Sequence, residues 1–129
     1  MKTILVVEDE ALLLQAIARK LKNSGYEPIT VTSRNQAVDY LESMDKPVDA
    51  IWMDYYLGET NGLELLQDIK KNEKWKNIPV VVVSNSANED TVTSMLALGA
   101  NKYMLKAQNK LDEIISAFDE FIAEEKKGE

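Results

Sequence analysis

Ile4-Leu5-Val6-Val7 runs straight into Glu8-Asp9, and the reading of this stretch decides the fold. Two further runs end in the same way: Ala50-Ile51-Trp52-Met53 stops at Asp54, and Tyr103-Met104-Leu105 stops at Lys106. Apolar runs this short and this continuous read as strands buried on both faces, the sequence form of a parallel sheet. In open parallel sheets, ligands bind in the crevice beyond the carboxyl ends of the strands. Three acids and one lysine are therefore expected to converge on one edge, a set that suits a metal ion and a phosphoryl group.

Outward from these runs, strand and helix signals alternate five times. The first strand covers residues 3–7. A helix follows from about 10 to 23, with Leu14, Ile17, Ala18 and Leu21 on one face and Gly25 as its stop. Residues 27–32 form a more polar strand, expected near the sheet edge. Ser33, with Gln36 three residues on, has the form of a capping box opening a helix to about 44. Residues 49–53 are the third strand, feeding a turn-like stretch at 58–61. Asn61 with Glu64 repeats the capping pattern, and Leu63, Leu66 and Ile69 carry a helix to about 72. After Pro79 comes the strongly β-branched run 80–83. A polar loop at 84–89 leads to a helix with Val92, Met95 and Leu96 inward, closed by Gly99. Residues 102–105 are the fifth strand. Leu111, Ile114, Ile115, Phe118, Phe121 and Ile122 then give a clean helical period, and 124–129 a charged, fraying tail. Short connections between alternating elements imply right-handed crossovers and helices on both faces. The expected fold is α/β, a flavodoxin-like (βα)5 doubly wound parallel sheet of order 2-1-3-4-5, which sets Glu8 and Asp9 beside Asp54.

A chain of 129 residues suits one domain, here residues 1–124 with a charged tail at 125–129. Its net charge of −7 argues against sequence-independent nucleic-acid binding, which depends on neutralising phosphates. The absence of cysteine excludes disulfides and thiolate chemistry, and the absence of histidine excludes imidazole bases and histidine metal ligands. No segment reads as a signal peptide or a bilayer span, so a cytoplasmic location without membrane contact is expected.

Clustered carboxylates repel one another, which raises their affinity for protons or for a hard cation. Oxygen-only ligands favour Mg²⁺, Mn²⁺ or Ca²⁺. A carboxylate can also attack phosphorus to form an acyl phosphate. Lys106 could neutralise a phosphoryl oxygen, and Ser84, at the end of the fourth strand, could donate a hydrogen bond to another.

Taken together, Glu8, Asp9, Asp54, Ser84 and Lys106 resemble the receiver domain of bacterial two-component response regulators, over residues 3–122. The resemblance implies that Asp54 accepts a phosphoryl group from a sensor histidine kinase or a histidine phosphotransfer protein. It implies Mg²⁺, with Mn²⁺ as a substitute, bound by Asp9, Asp54 and the backbone carbonyl of Tyr56, with Glu8 assisting through water. Ser84 would be the switch hydroxyl and Tyr103 the switch aromatic. On phosphorylation Ser84 moves and Tyr103 turns inward, changing the face made by the fourth helix, fifth strand and fifth helix. That face would serve a downstream protein target, an output domain beyond this chain, or a homodimer. Gly62 also matches the family. Such a chain is a phosphoacceptor rather than an enzyme, with at most self-phosphorylation and autodephosphorylation.

Four positions depart from the family pattern. Ala107 stands where Pro is usual, so a trans bond after Lys106 or an altered loop is expected. Asn85 follows Ser84 where a small residue is common, and Gly58 replaces a frequent Pro. Tyr56 is bulky and could shield an acyl phosphate from water, which with Asn85 points to slow dephosphorylation. Several residues also admit plainer roles. Asp9 could cap the first helix, Ser84 a loop, and Tyr103 and Trp52 could be packing. Trp75 would staple the loop before Pro79, and the pair Tyr55-Tyr56 is expected to be exposed. Two other readings compete. A phosphorylation-independent scaffold would share the fold. A haloacid-dehalogenase-type hydrolase would need an acid where Tyr56 stands.

Overall fold

The computed structural model describes residues 1–44, 46–58, 60–85 and 88–127, with side chains through Ile122. The apolar runs become β1 (Lys2–Val7), β2 (Tyr26–Val31), β3 (Ala50–Asp54), β4 (Val80–Ser84) and β5 (Lys102–Leu105) of one parallel sheet. Their spatial order is 2-1-3-4-5, as the alternation of elements implied, and the more polar β2 is at an edge. The helices are α1 (Ala11–Asn23), α2 (Arg34–Ser43), α3 (Gly62–Lys71), α4 (Glu89–Leu98) and α5 (Leu111–Lys127).

Pleating sorts the uniformly apolar runs into two cores. Leu5, Val7, Ile51, Met53, Val80 and Val82 face α2, α3 and α4, meeting Leu41, Leu65, Leu66, Ile69 and Met95. Their neighbours Ile4, Val6, Trp52, Val81 and Val83 face α1 and α5, meeting Leu14, Ile17, Leu21, Ile114 and Phe118. The runs in β1, β3 and β4 are thus continuously apolar because both of their faces are covered. Trp52 stacks on Phe118 with ring centroids 5.7 Å apart, and Trp75 is buried in the first core.

Several local expectations are revised. Ser33 does cap α2 by accepting from the Gln36 N–H, but Gln36 Oε1 reaches back to Thr32 rather than to Ser33, so the reciprocal half of the box is displaced by one residue. Asn61 caps α3 by accepting from the Glu64 N–H, while the Glu64 carboxylate is drawn off to Arg34 of α2. Glu10, not Asp9, is the N-cap of α1, and its side chain makes no capping bond. Leu96 is exposed, because Met95 and Leu98, three positions apart, define the inward face of α4. The turn-like stretch is a small antiparallel ribbon, Tyr56–Leu57 with Thr60–Asn61, reversed near Gly58 at φ +68°. Of the polar loop and that turn, residues 59, 86 and 87 lie outside the described residues. The α5 backbone continues through 124–127, and the rest of the expected tail lies outside them too. Among the described residues, no helix is long and apolar enough to cross a membrane.

Candidate functional site

Register delivers the site. Val7 pairs with Met53, so the residues that follow β1 emerge beside Asp54, the last residue of β3. Ser84 ends β4 opposite Leu105, and Lys106 follows β5. The ladders extend one step beyond the strands: the Glu8 N–H donates to Val31 O at 3.2 Å and the Lys106 N–H to Ser84 O at 2.9 Å. Both charged residues are therefore anchored by backbone bonds before their side chains are considered.

The Lys106 ammonium bridges two acids, donating to Glu8 Oε2 at 3.1 Å and to Asp54 Oδ2 at 3.0 Å. The other carboxylate oxygens are held by backbone amides, Glu8 Oε1 by the Glu10 N–H at 3.1 Å and Asp54 Oδ1 by the Tyr56 N–H at 3.4 Å. Glu8 and Asp54 are buried and Asp9 is exposed. Burial, and next the charge of Asp54, push the Glu8 carboxyl up to about 7, against the opposing pull of the Glu10 N–H and Lys106. Burial lowers the Lys106 ammonium, but the bonds to Asp54 and Glu8 outweigh it and its pKa is raised. The two shifts agree physically: one cation serves two anions, so it gains from both while each anion gains only part of it.

Oxygen atoms of Glu8, Asp9 and Asp54 lie within 4.8 Å of one another. A Mg²⁺ ion with bonds of about 2.1 Å spans oxygens up to about 4.2 Å apart, so a small inward shift would gather all three. The donor set is all oxygen and carries more negative charge than Lys106 neutralises. These residues fit a hard divalent cation.

Tyr56 is exposed at 56%, and its ring meets Tyr55 edge-on with centroids 5.0 Å apart. Tyr55, expected to be exposed with it, is instead half-buried against the first core. Gly62 fits because a Cβ there would come within 2.9 Å of the Asp54 carbonyl oxygen. Ser84 is fully buried, and Asn85 is exposed at the rim. Tyr103 is half-buried against the first core; burial raises its hydroxyl pKa, opposed by a hydrogen bond with Ser84. The aromatic expected to turn inward on activation is thus already engaged with the Ser84 hydroxyl. The peptide bond from Lys106 to Ala107 is trans, one of the two outcomes the missing proline implied.

Reading the sequence missed the direct pairing of Glu8 with Lys106 and the Glu10 amide that orients Glu8. A charged residue following a fully buried strand, with a lysine at the matching end of another, was the available signal.

Comparison with known proteins bears on the whole domain. The family model described as the response regulator receiver domain matches residues 4–119. The chain is 34% identical over 105 residues to the phosphate regulon transcriptional regulatory protein PhoB of Pseudomonas aeruginosa, covering 81% of this chain and 45% of that protein. It spans 22% of the length of the next such relatives, NtrX-like putative response regulators of Rickettsia. Among solved structures, it superposes on the phosphorylated cyanobacterial phytochrome response regulator RcpA with TM-score 0.84 at 34% identity, over 95% of this chain and 94% of that one. The Mn²⁺-bound response regulator Rcp1 gives 0.76 at 34% identity, over 87% and 86%.

Proposed function

The chain belongs to the response regulator receiver domain family of two-component systems, and from that premise we propose that Asp54 is its phosphoacceptor. The donor would be the phosphohistidine of a sensor histidine kinase or histidine phosphotransfer protein in the cytoplasm. An Asp54 carboxylate oxygen attacks phosphorus in line, the bond from phosphorus to the imidazole nitrogen breaks, and an acyl phosphate remains on Asp54. The observation that carries this reading is the Lys106 ammonium within 3.1 Å of both Glu8 and Asp54, with Asp9 close by.

When bound, Mg²⁺ (or Mn²⁺) would neutralise charge on the transferring oxygens. Asp9, Asp54 and the Tyr56 carbonyl would hold it, Glu8 helping through water; the all-oxygen cluster and the Mn²⁺ reported for Rcp1 support this. Lys106 shifts from Asp54 to a phosphoryl oxygen without losing Glu8. The Ser84 hydroxyl leaves Tyr103 for a second phosphoryl oxygen. Tyr103 then repacks against the core beneath α4, and the α4-β5-α5 face changes its fit to a target protein, an output domain or a second copy. Phosphorylation adds about −1.5 to −2 charges, enough to bias a two-state element. Receiver domains are signalling switches rather than classical enzymes, and this chain's own chemistry would be self-phosphorylation from small donors and autodephosphorylation.

Intact-mass analysis after acetyl phosphate with Mg²⁺ tests the proposal. Wild type should gain one phosphoryl group and Asp54→Ala none. Equal uptake by both, or uptake by neither despite Mg²⁺ binding, would refute it, and the second result would favour a scaffold.

A further inference from the structure

Between α2 and α3, on the face away from α1 and α5, runs an open groove of about 720 Å³. Half-buried Val38 and buried Trp75 form its apolar floor. The two helices run side by side in the same direction, since each returns from one strand of a parallel sheet to the next. The Arg34 bonds fix their relative height: this first residue of α2 meets Glu64 and Asp68, 30 and 34 positions later. Carried along both helices at the same rise, that offset sets Asp39 level with Lys71, and Glu42 level with the turn that holds Lys74.

The two walls are therefore opposite in sign at each level. At one end Arg34 reaches across to the acids of α3. At the other end no such closure occurs. Asp39, Glu42, Lys71 and Lys74 are exposed, and among the described residues none of them has an ion-pair partner.

A groove of this kind is complementary to itself. A two-fold axis along it lays the α2 wall of each copy over the α3 wall of the other, with every residue at its own height. A foreign helix of one sign would satisfy one wall and be repelled by the other. We infer that the α2–α3 groove is a self-association face, on which a second copy of this chain docks two-fold with Asp39 and Glu42 opposite the partner's Lys71 and the partner's Lys74. Exposed ion pairs over a small apolar floor make this a weak, transient contact. The net charge of −7 opposes it at long range, but that field is screened beyond about 8 Å at physiological salt. The groove contains none of the phosphoacceptor cluster and is distinct from the α4-β5-α5 face, so the inference goes beyond the function proposed above and does not depend on it.

Sedimentation equilibrium of the full, unphosphorylated chain, up to about 1 mM, reads the contact. Wild type should show a monomer–dimer equilibrium. Each charge reversal enters the dimer twice, so Asp39→Lys and Lys71→Glu should each weaken it about tenfold or more. Asp39→Lys also moves the net charge two units toward zero, which alone would favour non-specific association, so a loss there reports the facing pair. An equimolar mixture of the two variants should regain the dimer, because one contact is then reversed on both sides and the other is unchanged. Circular dichroism checks that both variants fold; should either fail, Glu42→Lys and Lys74→Glu take their place. A wild-type chain that stays monomeric, association unaffected by the reversals, or a mixture no better than its components would overturn the inference.

Discussion

Glu8 shows how far a single side chain is governed by its surroundings. Its carboxyl, ordinarily near 4.5, is raised to about 7 by burial and by Asp54. The folded chain therefore holds a proton that the unfolded chain releases between those values. With no divalent cation present, stability should fall as pH rises from about 4.5 through about 7. Lys106 titrates above this window and adds no slope there. Urea midpoints measured across the window should decline for wild type, and Glu8→Gln should flatten the profile; an unchanged slope in the variant would assign the effect elsewhere. Tyr56 carries a second prediction at this scale. Its side chain is exposed while its N–H is bonded to Asp54, so the ring can screen an acyl phosphate from water. Tyr56→Asn should shorten the phosphoryl half-life severalfold in radiolabel decay, and equal half-lives would discard the shielding role.

Elements are joined by contacts that their own periodicity does not describe. Arg34, the first residue of α2, forks onto Asp68 of α3 through Nε at 2.7 Å and Nη2 at 3.1 Å, and reaches Glu64 through Nη1 at 3.2 Å. This planar fork is why Glu64 fails to complete the capping box that its spacing from Asn61 suggested. The Arg34 side chain is 33% exposed, so solvent screens the pairs. Arg34→Ala should cost about 0.5–1 kcal/mol in urea denaturation, less at high salt, and Arg34→Lys should recover little because it cannot reproduce the fork. Helix faces were legible where apolar residues recur three and four apart, as from Leu111 to Ile122. In α4 they were not: Leu96 adjoins Met95 in sequence but stands about 100° away on the helix, so only packing could assign it to solvent.

At the scale of the whole molecule, the sheet brings together acids that stabilise each other only through a cation. A divalent ion that binds the folded chain alone should raise its stability by about 1.4 kcal/mol at ten times its dissociation constant. Thermal unfolding with and without Mg²⁺ should show this gain for wild type, larger above about pH 7, where Glu8 gives up its proton. Asp9→Asn should remove most of the gain. Asp9 is exposed, so the metal-free stability of that variant should stay near that of wild type. A full Mg²⁺ effect in Asp9→Asn would exclude this aspartate from the metal site.

The order of strands, the pairing of β1 with β3 and the identity of the charged cluster were all present in the chain as written. Continuous apolar runs encode double-sided burial locally, and the residue that ends such a run must lie at the sheet's rim. Which acid the lysine meets is not a local property. Lys106 is 98 positions from Glu8 and 52 from Asp54, and both bonds exist because the parallel sheet brings the ends of β1, β3 and β5 to one edge. Tertiary packing likewise decided that Tyr103 faces Ser84, that Tyr55 turns into the core while Tyr56 stays out, and that the Trp52 ring is buried against Phe118. These outcomes depend on what several distant elements leave unfilled, and no periodicity within one element carries that information.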